Sequence, residues 1–164
     1  MTGIDFSRIK ALVIDDDPMS RDLVVSILEG VGLVNVERAA DGEEAFKRLN
    51  AAVPDLIVSD VMMEPMDGIA FTRRLRTHRA SPNPHIPVIL LTAHTDRTTV
   101  IEARDAGVNA FVAKPVSIDE MRRKIELVIK DPRRFIRSED YVGPDRRRRD
   151  VPLAGRSDRR KSGE

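Results

Sequence analysis

The sequence predicts an α/β fold, a doubly wound parallel sheet in which five strands alternate with five helices. Three observations carry that expectation. Apolar runs stand at residues 11–14, 56–58, 88–91 and 110–113, with a weaker one at 34–39. Stretches with apolar residues at helical spacing separate them. The runs at 56–58 and 88–91 have no polar member, as expected of strands covered on both faces. Strands and helices of these lengths, in strict alternation, imply right-handed crossovers and helices on both sides of the sheet.

The first run ends in three carboxylates, Asp15, Asp16 and Asp17, and Pro18 follows. Proline suits the first turn of a helix, which makes Asp17 the expected N-cap. Met19, Leu23, Ile27 and Leu28 recur at helical spacing, and Gly30 and Gly32 are read as the helix end. Residues 34–39 make a poor second strand, with Val34, Val36 and Ala39 as its apolar members. Asp41-Gly-Glu-Glu44 resembles a capping box and opens a helix with Ala45, Phe46 and Leu49 inward.

Pro54 breaks the chain before the central stretch, an apolar run that leads into Asp60 and a Met-rich turn closing on Pro65 and Asp67-Gly68. Residues 69–77 read as the third helix, with Ile69, Phe71 and Leu75 apolar. Three prolines make residues 79–87 a loop. The fourth strand ends at Thr92. A fourth helix, roughly 95–106, has only Val100, Ile101, Ala103 and Ala106 as its apolar face and stops at Gly107. The last strand ends at Lys114-Pro115. Ser117-Ile-Asp-Glu120 is a good capping box, and Ile118, Met121, Ile125 and Val128 make one face of the last helix.

The 164 residues suffice for one domain with an appendage and for a core that needs no staples. There is no cysteine, which excludes disulfides and thiolate metal sites. No signal pattern opens the chain and no apolar run could span a bilayer, so a cytoplasmic protein without a membrane segment is expected. The net charge of +1 is unevenly placed. Residues 1–130 hold 17 Lys/Arg against 20 Asp/Glu, and residues 131–164 hold 11 against 7. That asymmetry suggests a basic interaction tail.

Open α/β sheets place ligands at the carboxyl ends of their strands. There the first strand offers Asp15 and Asp16, the third Asp60, the fourth Thr92 and the fifth Lys114. Three carboxylates in one place repel, so at least one should be harder to ionise unless a cation joins them. Mg²⁺ is the obvious candidate, because it takes one or two carboxylates and completes its shell with water and phosphate oxygens. A Lys and a Thr hydroxyl beside it can hold phosphoryl oxygens, and a carboxylate nucleophile so supported suggests an aspartyl-phosphate. Taken singly, Asp17 is a cap, Thr92 a strand residue and Lys114 a solvated side chain. Their joint occurrence at successive strand ends carries the reading.

At this point the chain resembles the receiver domain of two-component response regulators, from about residue 10 to residue 130. The resemblance rests on Asp15-Asp16, Asp60 with Pro65-Met-Asp-Gly68, Thr92-Ala93, and Phe111 with Lys114-Pro115. It implies a flavodoxin-like (βα)5 sheet of order 2-1-3-4-5. It implies that Asp60 accepts a phosphoryl group from a sensor histidine kinase or a histidine phosphotransfer protein. Asp16 and Asp60 would ligate Mg²⁺, Asp15 would ligate it or orient a bound water, and Met62 would lend its backbone carbonyl. Lys114 would pair with phosphoryl oxygens through a cis bond to Pro115. Thr92 would turn toward the aspartyl-phosphate, and Phe111 would move inward behind it. Helix four, strand five and helix five would then form the switching surface and the candidate seat of a homodimer.

The chain departs from the family pattern at Met62, where a polar residue is common, at His94, and at Glu64 before Pro65. Met62 is expected to shield the phosphoryl group and slow its hydrolysis. A competing reading is a haloacid-dehalogenase-like Mg²⁺-dependent phosphatase, because Asp15-x-Asp17 matches its nucleophile motif. That reading leaves Asp60 without a role and lacks a cap domain. On the switch reading the chain is not an enzyme beyond self-catalysed transfer and dephosphorylation, and it acts on an unnamed downstream protein.

Residues 1–130 are therefore expected to form the receiver, and residues 131–164 an Arg-rich extension too poor in apolar residues for a second domain. Phe135, Ile136, Tyr141 and Val142 could dock on the body and extend the surface of the last helix. The arginine clusters at 146–149 and 156–160 offer nonspecific nucleic-acid binding as an alternative role. No helix-turn-helix or zinc-finger pattern points to sequence-specific DNA.

Overall fold

The computed structural model describes residues 3–93, 96–130, 135–137 and 142–144. Five parallel strands lie in the order β2-β1-β3-β4-β5. They are β1 (Lys10–Ile14), β2 (Asn35–Ala39), β3 (Leu56–Asp60), β4 (Val88–Thr92) and β5 (Ala110–Ala113). The helices between and after them are α1 (Pro18–Val31), α2 (Gly42–Ala51), α3 (Gly68–Thr77), α4 (Arg97–Ala106) and α5 (Ile118–Ile129). The predicted fold class and strand order are those observed. No helix among the described residues is long and apolar enough to cross a membrane.

The pleat divides the core in two. Ala11, Val13, Val58 and Ile89 face α1 and α5. Leu12, Ile14, Ile57 and Leu90 face α2, α3 and α4. Central strands β3 and β4 are apolar because both faces are covered. β2 lies at the edge and is mostly exposed, which explains its weak pattern.

The helices are capped much as the sequence suggests. Asp41 Oδ1 accepts the Glu44 N–H, and Glu44 Oε1 accepts the N–H of Ala40, one residue before the cap. Asp67 accepts from Ala70 N–H, Asp96 from Thr99 N–H and Ser117 from Glu120 N–H.

Several expectations need correction. Asp17 stands at the N-cap of α1, but its side chain makes no cap hydrogen bond. The face of α1 turned inward is Val24, Val25, Ile27, Leu28 and Val31, whereas Met19 and Leu23 are 82% and 62% exposed. Two apolar stripes overlap in this helix, and the one that reaches both the sheet and α5 is buried. Gly30 lies inside α1, and Gly32, at φ 127°, is its C-cap. Val34 precedes β2 and is exposed. α4 begins at Arg97; Thr95, and the departure at His94, lie outside the described residues. Only Ala103 and Ala106 of α4 are buried, while Val100 and Ile101 face outward with Ile118 of α5.

Beyond α5, β6 (Phe135–Arg137) and β7 (Val142–Pro144) pair antiparallel as a separate two-stranded sheet. Gly143 and Pro144 are buried, and β7 lies beside α3, on the opposite face of the sheet from α5. Of the docking residues expected in the extension, Phe135, Ile136 and Val142 fall in this hairpin. Tyr141 and the arginine clusters at 146–149 and 156–160 lie outside the described residues.

Candidate functional site

Parallel register brings the strand ends together. β3 pairs with β1 and β4, with Ser59 opposite Ile14 and Asp60 opposite Leu91. Thr92 stands opposite Ala113. Two main-chain bonds continue the ladder past the strands: Val61 N–H donates to the Leu91 carbonyl at 2.9 Å, and Lys114 N–H to the Thr92 carbonyl at 2.8 Å. Asp60 and Lys114 are thereby held at one edge, and Lys114 Nζ lies 2.9 Å from Asp60 Oδ1. The Asp60 side chain is only 12% exposed. The Lys114–Pro115 bond is cis, as is Glu64–Pro65.

The two acids of β1 behave differently. Asp15 is 2% exposed. Its Oδ1 accepts the Asp17 N–H at 3.0 Å, and its Oδ2 accepts the Ser20 hydroxyl at 2.5 Å. Asp16 is exposed, and its Oδ2 accepts the Glu64 N–H at 3.0 Å. That bond ties the β1 end to the turn after β3. The same turn is fixed from below by Gly68, whose N–H donates to the Val61 carbonyl. A Cβ at Gly68 would collide with the main-chain carbonyl of Asp60 and crowd Leu90 and Ser59, so only glycine fits there. Met62 is exposed beside Asp60, Thr92 is fully buried, and Phe111 is half-buried against the α2–α4 core.

Burial raises the Asp60 carboxyl above its ordinary value of 3.8, and the charges of Asp15 and Asp16 raise it further; Lys114 opposes them and does not win. The sequence suggested that repulsion among acids would do this, whereas desolvation is the larger cause. By formal count, three carboxylates at this edge, Asp15, Asp16 and Asp60, stand with one lysine, Lys114. Among the described residues, no three acidic or histidine side chains stand as a ready-made cation cluster. The donors nevertheless suit Mg²⁺, a hard cation satisfied by one or two carboxylates, a carbonyl and water.

Sequence reasoning missed Ser20 and Arg21, whose guanidinium donates to the Asp15 carbonyl at 2.8 Å. A signal for Ser20 existed: it sits in the first turn of α1, where side chains lean back toward the strand end. It also missed Arg76, 1% exposed at the far end of α3. Its Nε and Nη2 donate to the Gly107 carbonyl, and Nη2 also to Asn109 Oδ1. Nη1 donates to the carbonyls of Pro84 and Ile86. Nothing in the sequence marks it, because a charged residue beside Leu75 reads as solvent-facing.

A five-stranded parallel sheet of this order, with a buried carboxylate paired to a lysine at its carboxyl edge, defines a class. Residues 11–126 match the response regulator receiver domain, and the chain belongs to that family. It is similar to chemotaxis regulators. It is 38% identical to a probable chemotaxis protein CheY of Rhizobium etli over 74% of this chain and 92% of that one. It is 34% identical to the chemotaxis protein CheY of Pseudomonas aeruginosa, over 73% and 94%. Among solved structures, chemotaxis protein CheY4 of Vibrio cholerae superposes with a TM-score of 0.66 at 30% identity, covering 73% of this chain and 98% of that one. The receiver domain of a response regulator NarL from Mycobacterium tuberculosis gives the same score and identity, over 75% and 97%. The chain is thus a CheY-like receiver of a two-component system, and the family match ends before the β6–β7 hairpin.

Proposed function

We propose that Asp60 accepts a phosphoryl group from a phosphohistidine on a sensor histidine kinase or phosphotransfer protein, with Mg²⁺, and that the modified chain switches its binding to a downstream protein. The observation that carries this is the Asp60–Lys114 pair at the buried, acid-rich edge of the sheet. Lys114 occupies Oδ1, which leaves Oδ2 to attack phosphorus. The P–N bond breaks as the P–O bond forms, and the electron pair returns to the donor imidazole.

Such a transfer depends on positioning and charge neutralisation rather than on protein acid–base chemistry. Lys114 would move from the carboxylate to the phosphoryl oxygens, and the Thr92 hydroxyl would take another of them. Phe111, half-buried behind Thr92, would fill the space that Thr92 vacates. Asp16, Asp60 and the Met62 carbonyl, with Asp15 directly or through a bound water, would hold the cation, which supplies positive charge to the phosphoryl oxygens when bound. A donor reaches this edge across α1 and the β5–α5 turn. There a cleft of about 530 Å³, lined by Leu23, Ile27, Pro115 and Ile118 among others, opens beside Lys114.

The outward Val100, Ile101 and Ile118 are the apolar members of the α4–β5–α5 surface, which we assign as the switching face and the seat of any homodimer. We assign residues 131–164 to the receiver as an extension rather than a second domain.

The phosphatase alternative loses ground, because Lys114 pairs with Asp60 and not with the acids of β1. Incubation with a phosphohistidine donor separates the two readings. One phosphoryl group per chain, retained and absent from Asp60→Asn, supports the switch. Repeated turnover of phosphate esters that survives Asp60→Asn overturns it.

A further inference from the structure

Of the two acids on β1, one is already engaged. Both Asp15 oxygens accept hydrogen bonds, from Asp17 N–H and from the Ser20 hydroxyl, and Arg21 pins its main-chain carbonyl. The Ser20 bond, at 2.5 Å, is of the charge-assisted kind between a hydroxyl and a carboxylate. Asp16, by contrast, faces solvent and gives one oxygen to Glu64 N–H.

We infer that Ser20 is a positioning residue that holds the Asp15 carboxylate back and competes with the divalent cation for it, so that Ser20 sets the cation affinity of the pocket. Two facts make Ser20 the adjustable member. The Asp17 donor is main chain and is fixed by the start of α1, so no substitution short of proline removes it. The Ser20 hydroxyl is a side-chain donor with a free rotor, so it can yield its place. A cation drawing on Asp15 Oδ2 must displace that donor, and the cost of the displacement lowers the affinity. With the hydroxyl in place, Asp15 acts as an acceptor for a cation-bound water, and Asp16 and Asp60 are the carboxylates open to direct ligation. The inference rests on the reading of this edge as a cation site.

The test is calorimetric titration of the full chain with Mg²⁺ alone, in the absence of any phosphodonor. Ser20→Ala is expected to bind Mg²⁺ about fivefold more tightly, the factor that corresponds to one net hydrogen bond. Ser20→Thr, which keeps the hydroxyl, should match the wild type. In an Asp15→Asn background, Ser20→Ala should change nothing, because the contested carboxylate is gone. If Ser20→Ala fails to fold, Ser20→Cys, a weak donor of similar size, should show a smaller gain. Unchanged or weaker binding in the donor-deficient variants overturns the role of Ser20 while leaving the pocket intact. A wild type that binds no Mg²⁺ overturns the cation site itself, and the inference with it.

Discussion

The two edges of the sheet bury charge in opposite ways. At the amino edge, Arg76 sits in the core with each guanidinium nitrogen donating to a carbonyl or to Asn109, and it knots α3, the 79–87 loop and the α4–β5 turn together. A buried cation so saturated is inert. At the carboxyl edge, Asp60 is also buried beside two further acids, and its pairing with Lys114 does not offset the cost of that burial. The charge that is fully satisfied holds the fold, and the charge left partly unsatisfied is available for chemistry. One small sheet is thereby held fast at one end and left reactive at the other.

Substitutions at the two edges should therefore fail in different ways. The largest effect is expected at the carboxyl edge, where Lys114→Met should slow phosphoryl transfer to Asp60 about a hundredfold, as for loss of one preorganised charge donor. Its unfolding midpoint in urea should fall by less than that of Arg76→Met, because the Asp60 carboxylate left without its partner can take up a proton. Arg76→Met should do the reverse. It strands the carbonyls of Pro84, Ile86 and Gly107, and a loss of about 3 kcal/mol in urea unfolding is expected. Comparable stability losses at both positions would erase the contrast.

Gly68→Ala tests whether the phosphoacceptor turn tolerates any shift. The added methyl meets the Asp60 carbonyl, and a loss of about 2 kcal/mol, in the ordinary range for strain at a special backbone site, should accompany slower transfer. A variant as stable and as active as the wild type would show that the β3 end relaxes freely.

The smallest effect is one of pH. The folded chain holds the Asp60 proton more readily than the unfolded chain, so this group contributes most stability below 3.8 and loses it as pH rises through the raised folded-state value. Asp60→Asn, always neutral, should therefore be more stable than the wild type near neutrality, and the gap should close as pH falls toward 3.8. Thermal unfolding across that range checks it; a wild type that is the more stable near neutrality would reverse the sign assigned to burial.

Much of this was legible in the residues themselves. Four strand ends with Asp15, Asp16, Asp60, Thr92 and Lys114 declare both the sheet and its reactive edge, because the alternation of strand and helix forces them to one side. Short-range signals such as Asp41 and Ser117 as helix caps were equally plain. What pattern reading lacks is competition between partners. The inward stripe of α1 was decided by contact with α5, not by the spacing of Met19 and Leu23. The division of the Asp15 oxygens between Asp17 and Ser20 needs three dimensions. Burial of Arg76 and the β6–β7 hairpin beside α3 depend on contacts far apart in the chain, in segments whose composition is charged and aperiodic.

The most direct test of the central claim is to locate the phosphoryl group. The protein, exposed to a small phosphodonor with and without Mg²⁺, is digested and mapped by mass spectrometry. A single phosphoryl group on Asp60 that requires the cation and is released by hydroxylamine, as an acyl phosphate is, is the expected result. Modification at Asp15, Asp16 or a hydroxyl residue instead, or none at all with Mg²⁺ present, would contradict the assignment of the β3 carboxylate as acceptor.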